Sequence, residues 1–188
     1  MDVLTLLRDG GDPVALARGL IGWTFLVDGT GGLIVETEAY SRDDAASHSF
    51  RGLRTANAAM FGPPGTIYVY RSYGLHWCLN IVAAPGAAVL LRALEPTAGL
   101  DVMAERRGPV PPHLLCAGPG RLARALGVTG ADDGASLFGP PFALVPGAGA
   151  PSVLAGPRIG ISRDTERPWR FGLSGSRSLS RPFPRATH

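Results

Sequence analysis

The sequence predicts an α+β fold: a single compact domain over residues 1–188, with a mixed, mostly antiparallel sheet and flanking helices. Three observations lead to this prediction. The chain has 188 residues, which suits one domain with a substantial hydrophobic core. Short strand-like runs are joined by Gly-containing turns, which is typical of hairpins, and three helix-like segments accompany them. No repeat and no linker separates a second domain.

The first elements are a helix and a hairpin. Asp12 can cap a helix whose first residue is Pro13, and the pattern continues to about Gly22. Strands are predicted at 23–27 and 33–40, on either side of a Gly-rich turn. The polar segment that follows, residues 41–64, is predicted to be a long loop, and loops of this length are usually functional.

The middle of the chain predicts a second hairpin and a central strand. Strands at 66–70 and 77–82 flank a tight turn formed by residues 71–74. The apolar run 87–94 is long enough to be a central strand, which Pro96 is expected to end.

The last third predicts two helices, a loop and two strands. The helices are expected at 97–107 and 119–126. Residues 139–157 are mostly Gly, Pro and Ala, and we expect a surface loop there. The final strands are predicted at 158–162 and 169–173.

The basic residues are all arginine, since the chain has no lysine, and the formal net charge is +3. The net charge is −3 over residues 1–60, +3 over 61–130 and +3 over 131–188. A basic C-terminal two-thirds suits a polyanionic partner.

The two cysteines, Cys78 and Cys116, provide no disulfide framework, which indicates a reducing compartment. We find no signal-peptide pattern and no apolar run of about 18 residues, so we expect a soluble cytoplasmic protein without a membrane span. The histidines have no partners at ligand spacing, so no metal site is expected.

Two carboxylates on one strand are the first candidates for chemistry. Glu36, Glu38 and Tyr40 alternate along a strand and therefore share a face. One interpretation is a buried general base whose pKa is raised by its neighbour. The other is an edge strand whose carboxylates face water, which the usual exposure of charged residues favours.

The second hairpin carries aromatic residues that a core does not need. Tyr73 stands at its turn, beside Arg71, as a wedge that enters stacked bases would. Tyr68 and Tyr70 share a face and fit either a binding site or cross-strand packing. Residues 118–121, Gly-Pro-Gly-Arg, can seat a phosphate at a helix start or merely cap the helix.

Several segments, in this order and spacing, carry a resemblance to a known family: 16–22, 34–40 (IVETEAY), 45–49 (AASHS), 60–66 (MFGPPGT), 68–80 (YVYRSYGLHWCLN), 90–96, 118–120, 158–161 and 168–171. Together they resemble the alkyladenine (3-methyladenine) DNA glycosylase family, in the animal type with bacterial relatives. The resemblance covers most of the chain and implies a protruding β-hairpin that inserts into DNA.

The resemblance also implies a role for individual residues. Glu38 matches the general base that activates water, and Arg92 and the backbone carbonyl of Ile159 match the groups that hold this water. The other matches are Tyr40, His48 and Tyr70 around the extruded base, Asn80 against normal guanine, Tyr73 in the vacated place in the duplex, and Arg71 and Thr55 near the DNA. Arg71, Ser72 and Leu75 depart from the family's usual residues, and 139–157 matches nothing in it.

The expected function is therefore that of a monofunctional DNA glycosylase. It would act as a monomer on duplex DNA, near the nucleoid and without a cofactor, and release 3-methyladenine and 7-methylguanine, with hypoxanthine and ethenoadenine as further candidates. A chain without lysine cannot form a side-chain Schiff base with the sugar, which excludes that route to lyase activity. A non-catalytic binder of distorted DNA and a hydrolase of free nucleosides are the alternatives.

Overall fold

The centre of the computed structural model, which describes residues 2–184, is an eight-stranded sheet in which every strand pair is antiparallel. Its main path has the order β3-β4-β5-β2-β1-β6, and β8 pairs with both β2 and β7. The strands are β1 (Thr24–Val27), β2 (Thr30–Tyr40), β3 (Ile67–Ser72), β4 (His76–Ala84), β5 (Ala87–Ala98), β6 (Phe142–Val145), β7 (Val153–Gly156) and β8 (Arg170–Leu173). The fold class is thus α+β, as predicted, with an antiparallel sheet.

Helices flank this sheet. They are α1 (Val3–Asp9), α2 (Pro13–Gly19), α3 (Leu100–Arg107) and α4 (Pro119–Leu126), with a 3-10 helix at Thr55–Phe61 and shorter ones at Pro112–Leu114 and Gly130–Asp132. The Asp12 side chain accepts hydrogen bonds from the backbone N–H groups of Val14 and Ala15, so this cap forms as predicted. None of the helices in residues 2–184 has the length and apolar character needed to cross a membrane.

Strand β2 organises the sheet because it has neighbours along both edges. It pairs with β5 over nearly its full length. On its other edge it pairs first with β1 and then, at Glu36–Glu38, with β8. Its side chains are consequently almost all buried, the two carboxylates included. The long apolar side chains of β2, β4, β5 and the helices make up one main core.

In the first two-thirds of the chain, several predictions differ from the structure: β2 begins at Thr30 and not at residue 33, and α3 begins at Leu100 and not at residue 97. Strand β5 continues past Pro96 to Ala98, because over this stretch its partner lies along one edge and a missing N–H interrupts no second ladder. The predicted loop 41–64 contains the 3-10 helix at Thr55–Phe61. Helix α1 occupies a stretch for which the sequence indicated no element, and the Asp2 side chain caps it.

The C-terminal third needs two corrections. The predicted surface loop 139–157 contains β6 and β7, whose four-residue runs are too short and too exposed to stand out in a Gly- and Pro-rich segment. The strand predicted at 158–162 is wrong. The strand in this region is β7, which ends at Gly156, because Pro157 has no N–H to donate to the ladder. The strand predicted at 169–173 is confirmed as β8.

The close contact between Gly32 of β2 and the paired strand β5 allows a steric test of the sheet. A Cβ on Gly32 would lie 2.0 Å from the carbonyl oxygen of Glu95 in the paired strand, where backbone atoms cannot move aside. We expect Gly32→Ala to lower the free energy of unfolding by about 1–3 kcal/mol, measured by urea denaturation. Gly139→Ala, whose Cβ would meet nothing within 4 Å, is the control and should change it by less than about 0.5 kcal/mol. Equal effects of the two substitutions would contradict this account of the strand contact.

Candidate active site

A cavity of about 490 Å³ opens on one face of the sheet, between the β3–β4 hairpin, the loop after β2 and the loop after β7. Four neighbouring strands contribute to its wall, and three of them do so with side chains at positions i and i+2, which point to the same face. These pairs are Tyr68 and Tyr70 on β3, Cys78 and Asn80 on β4, and Leu90 and Arg92 on β5, and β2 contributes Tyr40. The strand register aligns Tyr68 with Asn80, Asn80 with Leu90, and Leu90 with Glu38.

Glu38 lies directly behind this wall and is fully buried. Its Oε1 accepts a hydrogen bond from the backbone N–H of Ile159 (2.7 Å). Its Oε2 accepts one from the Tyr40 hydroxyl (2.8 Å) and one from Arg92 Nη1 (3.2 Å). All three donors belong to residues that line the cavity. The three residues that hold the Glu38 carboxylate are therefore also exposed to the cavity.

Two opposing effects act on the pKa of Glu38. Burial raises this pKa, and it outweighs the positive charge of Arg92 and the hydrogen bonds from Ile159 and Tyr40, which lower it. A carboxylate held in this way is a better proton acceptor than an exposed one, while Arg92 still stabilises its charged form. This combination suits a general base.

Glu36 fixes the orientation of Arg92. Its Oε1 accepts hydrogen bonds from Arg92 Nε (3.1 Å) and Arg170 Nε (2.7 Å). Ser180 adds two more, from its backbone N–H (2.5 Å) to Oε2 and from its hydroxyl (2.8 Å) to Oε1. The Ser180 hydroxyl also accepts a hydrogen bond from Arg92 Nη2 (3.2 Å). Glu36 thus connects β2, β5, β8 and the segment after β8.

The structure decides between the two interpretations of the strand that carries Glu36 and Glu38. An edge strand with carboxylates in water is wrong, because β2 has partners on both edges and Glu36 and Glu38 are each 0% exposed. The sequence identified Glu36 only as a neighbouring charge. It indicated no role for Arg170, although this residue lies in the family-like segment 168–171, and none for Ser180; their contacts with Glu36 span 134 and 144 residues.

Aromatic rings form the sides of the cavity. The ring centroids of His48 and Tyr70 are 4.4 Å apart, with their planes inclined by 73°. His48 Nδ1 lies 2.8 Å from the Tyr68 hydroxyl. Tyr68 therefore takes part in the cavity wall as well as packing across the strands. Burial lowers the pKa of His48, which favours the neutral ring. Tyr40 lines the cavity and also holds Glu38, a second contact that the sequence did not predict.

Asn80 is buried in the wall with its amide fixed. Its Nδ2 donates to the carbonyl oxygen of Tyr68 (3.0 Å), whereas its Oδ1 accepts no hydrogen bond within residues 2–184. A fixed amide with a free acceptor can test the edge of a flat ligand, because its position cannot adjust to a misfit.

A buried ion pair joins the two loops that border the cavity. The Arg158 guanidinium binds the Asp44 carboxylate and donates to the carbonyl oxygen of Ala39 (2.9 Å). Asp44 precedes His48 on one loop, and Arg158 precedes Ile159 on the other. The pair therefore holds the His48 loop against the chain segment whose N–H contacts Glu38.

The structure shows a contact of Ile159 that the resemblance did not imply. The resemblance implied a role for its backbone carbonyl, but the contact with Glu38 is made by its backbone N–H. Three more predicted residues do not contact Glu38, but two of them line the cavity: Tyr73, which is 88% exposed at the hairpin turn with a φ of 51°, and Arg71, which packs over the Trp77 ring. Thr55 does not line the cavity and is exposed at the start of a 3-10 helix.

Within the described range 2–184, no group of three or more His, Cys, Asp or Glu side chains is arranged to hold a metal ion. The groups available for chemistry at the cavity are the buried carboxylate of Glu38, the guanidinium groups of Arg71 and Arg92, and the aromatic rings of the walls. This set can bind a flat, electron-poor ring and activate a water molecule beside it.

Comparison with known proteins agrees with this chemistry. The family model described as methylpurine-DNA glycosylase (MPG) matches residues 8–177. A Nitrosospira multiformis protein named "Putative 3-methyladenine DNA glycosylase" is 58% identical over 173 residues, covering 90% of each chain. Proteins with the same name are 58% identical in Rhodopseudomonas palustris strain BisB18, over 89% of this chain and 86% of the relative, and 56% identical in Agrobacterium fabrum, over 92% and 89%.

The contacts of Ser180 predict a stability change. Ser180→Ala removes a hydroxyl that donates to Glu36 and accepts from Arg92, both charged, so the free energy of unfolding should fall by about 2 kcal/mol. Glu36→Gln should cost more, about 3–5 kcal/mol, because the buried Arg170 loses its one carboxylate partner in the described residues and Arg92 keeps only Glu38. Chemical denaturation measures both. Ser174→Ala, at an exposed position nearby, is the control, and a Ser180→Ala loss no larger than that of this control would contradict the contact.

Proposed function

Because the chain belongs to the methylpurine-DNA glycosylase family and is a DNA glycosylase of DNA repair, we propose that it excises damaged purines from duplex DNA by hydrolysis. The proposed substrates are 3-methyladenine and 7-methylguanine, with hypoxanthine and ethenoadenine as further ones. One observation carries the proposal: a fully buried carboxylate, Glu38, is held by three donors directly behind an aromatic cavity that is large enough for a purine.

The first step we propose is extrusion of the damaged nucleotide. A base inside a duplex cannot reach a buried carboxylate, so it must leave the stack, at a cost of a few kcal/mol. The exposed Tyr73 ring at the hairpin turn fills the vacated place. Stacking on Tyr40, Tyr70 and His48 returns about 1–3 kcal/mol per base, so a normal paired base gains little by moving. A damaged base that pairs weakly has less to lose and enters the cavity.

The second step is hydrolysis of the bond between the purine and the sugar. A carboxylate has about four acceptor sites, and the described contacts of Glu38 use three of them, which leaves one on Oε1 for a water molecule. Glu38 takes a proton from this water molecule while the water oxygen attacks the anomeric carbon of the sugar. The carbon–nitrogen bond breaks, and its electron pair leaves with the base. The negative charge of Glu38 also stabilises the oxocarbenium-like sugar that develops.

Substrate preference follows from the same cavity. An alkylated purine carries positive charge, which the faces of Tyr40 and Tyr70 attract and which makes the base a good leaving group. A neutral base such as hypoxanthine has to acquire a proton as it leaves. Asn80, fixed by the Tyr68 carbonyl, crowds the 2-amino group of normal guanine. Since the chain has no lysine, it cannot hold the sugar as a side-chain Schiff base, and we propose that it releases the base alone.

The central test is release of the base by Glu38→Gln. Two duplexes are used, one with a single hypoxanthine and one with a single 7-methylguanine, and the released base is quantified under single-turnover conditions. Loss of the general base should slow release of hypoxanthine by about 10²–10⁴-fold, and release of 7-methylguanine by less because it is already charged. Glu105→Gln, an exposed carboxylate on α3, is the matched control and should release both bases at the unmodified rate.

Other outcomes identify the alternatives. Tight binding of both duplexes without release by the unmodified protein indicates a non-catalytic binder of distorted DNA. Release from free nucleosides, together with weak duplex binding, indicates a nucleoside hydrolase. Unchanged release by Glu38→Gln would show that another group activates the water.

The raised pKa of Glu38 predicts the acid side of the pH profile. The base must be ionised to accept a proton, so activity falls as pH decreases through the pKa of Glu38. Because this pKa is raised above its ordinary value of 4.5, half of the activity should be lost at a pH above 4.5. Single-turnover release of hypoxanthine as a function of pH measures it, with circular dichroism at each pH to confirm folding. An acid midpoint at or below 4.5 would contradict the assignment of Glu38 as a buried base.

A further inference from the structure

We propose that Asp44 determines how well the cavity accepts a positively charged purine, because it neutralises Arg158 behind the Tyr40 ring on which the base would stack. This inference rests on the proposed function and concerns its selectivity among substrates. Asp44 does not line the cavity, and within residues 2–184 it makes no hydrogen bond to Glu38. It therefore acts through Arg158 and Tyr40 and not by contact with the base.

The Arg158 guanidinium lies over one face of the Tyr40 ring, with its central carbon 4.7 Å from the ring centroid. Tyr40 lines the base cavity and Arg158 does not, so the guanidinium occupies the side of the ring that faces away from the cavity. The ring centroid of Trp169 is 5.3 Å from the same carbon. A base that stacks on Tyr40 from the cavity is thus separated from a full positive charge by the thickness of one aromatic ring.

Hydrogen bonds hold this guanidinium in place. Its Nη1 donates to the carbonyl oxygen of Ala39 (2.9 Å), and its Nη2 donates to the Asp44 carboxylate (2.9 Å) and to the carbonyl oxygen of Asp164 (3.2 Å). The side chains of Arg158 and Asp44 are both fully buried. Burial acts to lower the pKa of Arg158, but the hydrogen bonds and charge of Asp44, with smaller effects from neighbouring groups, raise this pKa overall. The charge behind Tyr40 is therefore permanent and cannot move away.

A positively charged base needs this charge to be neutralised. Cations on the two faces of one ring repel each other and compete for the same π electrons. The cavity lining cannot compensate, because in the described part of the chain it contains no acidic residue and two cationic ones, Arg71 and Arg92. The carboxylate behind the wall, Glu38, already pairs with Arg92. Within residues 2–184, Asp44 is the one carboxylate that pairs with Arg158, and together they carry no net charge.

The test compares a positively charged base with a neutral one in the same variant. Duplexes with a single 7-methylguanine or a single hypoxanthine are titrated with protein under single-turnover conditions, and the protein concentration for half-maximal release is determined for each. In Asp44→Asn, Arg158 keeps its charge and loses its counter-ion, so the value for 7-methylguanine should rise roughly tenfold relative to that for hypoxanthine. A looser fold would instead raise both values by the same factor, which cancels in their ratio.

Asp43→Asn is the matched control. Asp43 adjoins Asp44 on the same loop, but its side chain is 80% exposed and lies 3.9 Å from Arg167. The substitution removes the same charge from the same loop, and because solvent screens an exposed pair, it should change the ratio by less than about twofold. A change of the ratio in Asp44→Asn that is no larger than in this control would overturn the proposal.

A double variant tests whether Asp44 acts through the charge of Arg158. Asp44→Asn/Arg158→Gln leaves no uncompensated charge behind Tyr40, so the ratio should return to that of the unmodified protein even where both bases are released more slowly. Persistence of the Asp44→Asn shift in this variant would overturn the proposal. Should Asp44→Asn fail to fold, as judged by circular dichroism, Asp44→Asn/Arg158→Lys keeps the positive charge and should show the shift that the Arg158→Gln double variant lacks.

Release by the unmodified protein tests the proposed function separately. If it releases neither base, the function and this inference both fail. If it releases both bases and the ratio in Asp44→Asn is unchanged, the function stands and the inference alone fails. If it releases 7-methylguanine alone, the hypoxanthine duplex is titrated as a competitor of that reaction, and its inhibition constant replaces the half-maximal concentration in the ratio.

Discussion

The burial of Glu36 is the constraint on which the rest of the structure depends. A carboxylate with no exposed surface has to regain in hydrogen bonds and ion pairs what it loses in hydration, and removal of one partner leaves an uncompensated charge. Glu36 meets this requirement with Arg92, Arg170 and Ser180, which lie far apart in the sequence. The same contacts that join the sheet to the segment after β8 therefore also orient Arg92, and through it Glu38.

The arrangement keeps Glu38 basic without leaving it unpaired. Burial alone would favour the protonated form, which cannot accept a proton from water. Arg92 and the N–H of Ile159 favour the charged form, and Glu36 shares Arg92, so the stabilisation that Glu38 receives is partial. The result is a raised pKa in a carboxylate whose charged form still has donors to stabilise it. Two adjacent carboxylates on one strand thus have different tasks, one structural and one chemical.

The sequence predicted local features better than distant contacts. The cap at Asp12, the second hairpin and the shared face of Glu36, Glu38 and Tyr40 follow from short-range patterns, and the structure has all three. The contacts of Arg170 and Ser180 with Glu36 bridge more than 130 residues, so no spacing rule could reveal them. Pro96 in β5 and the short β6 and β7 were missed for a related reason: whether a strand tolerates proline or exposure depends on its neighbours in the sheet.

The use of arginine as the only basic side chain unites these features. A buried lysine loses its proton readily, whereas a guanidinium stays charged, so Arg92 and Arg170 can neutralise Glu36 in the interior without becoming neutral themselves. Its several donors let one side chain contact Glu36, Glu38 and Ser180 at once, as Arg92 does. The same property lets Arg107 and Arg121 each donate to a backbone carbonyl oxygen and keep further donors free. A chain without lysine also has no side-chain amine to attack the sugar. The residue choice that stabilises the buried carboxylates is therefore the one that leaves water as the nucleophile in the reaction we propose.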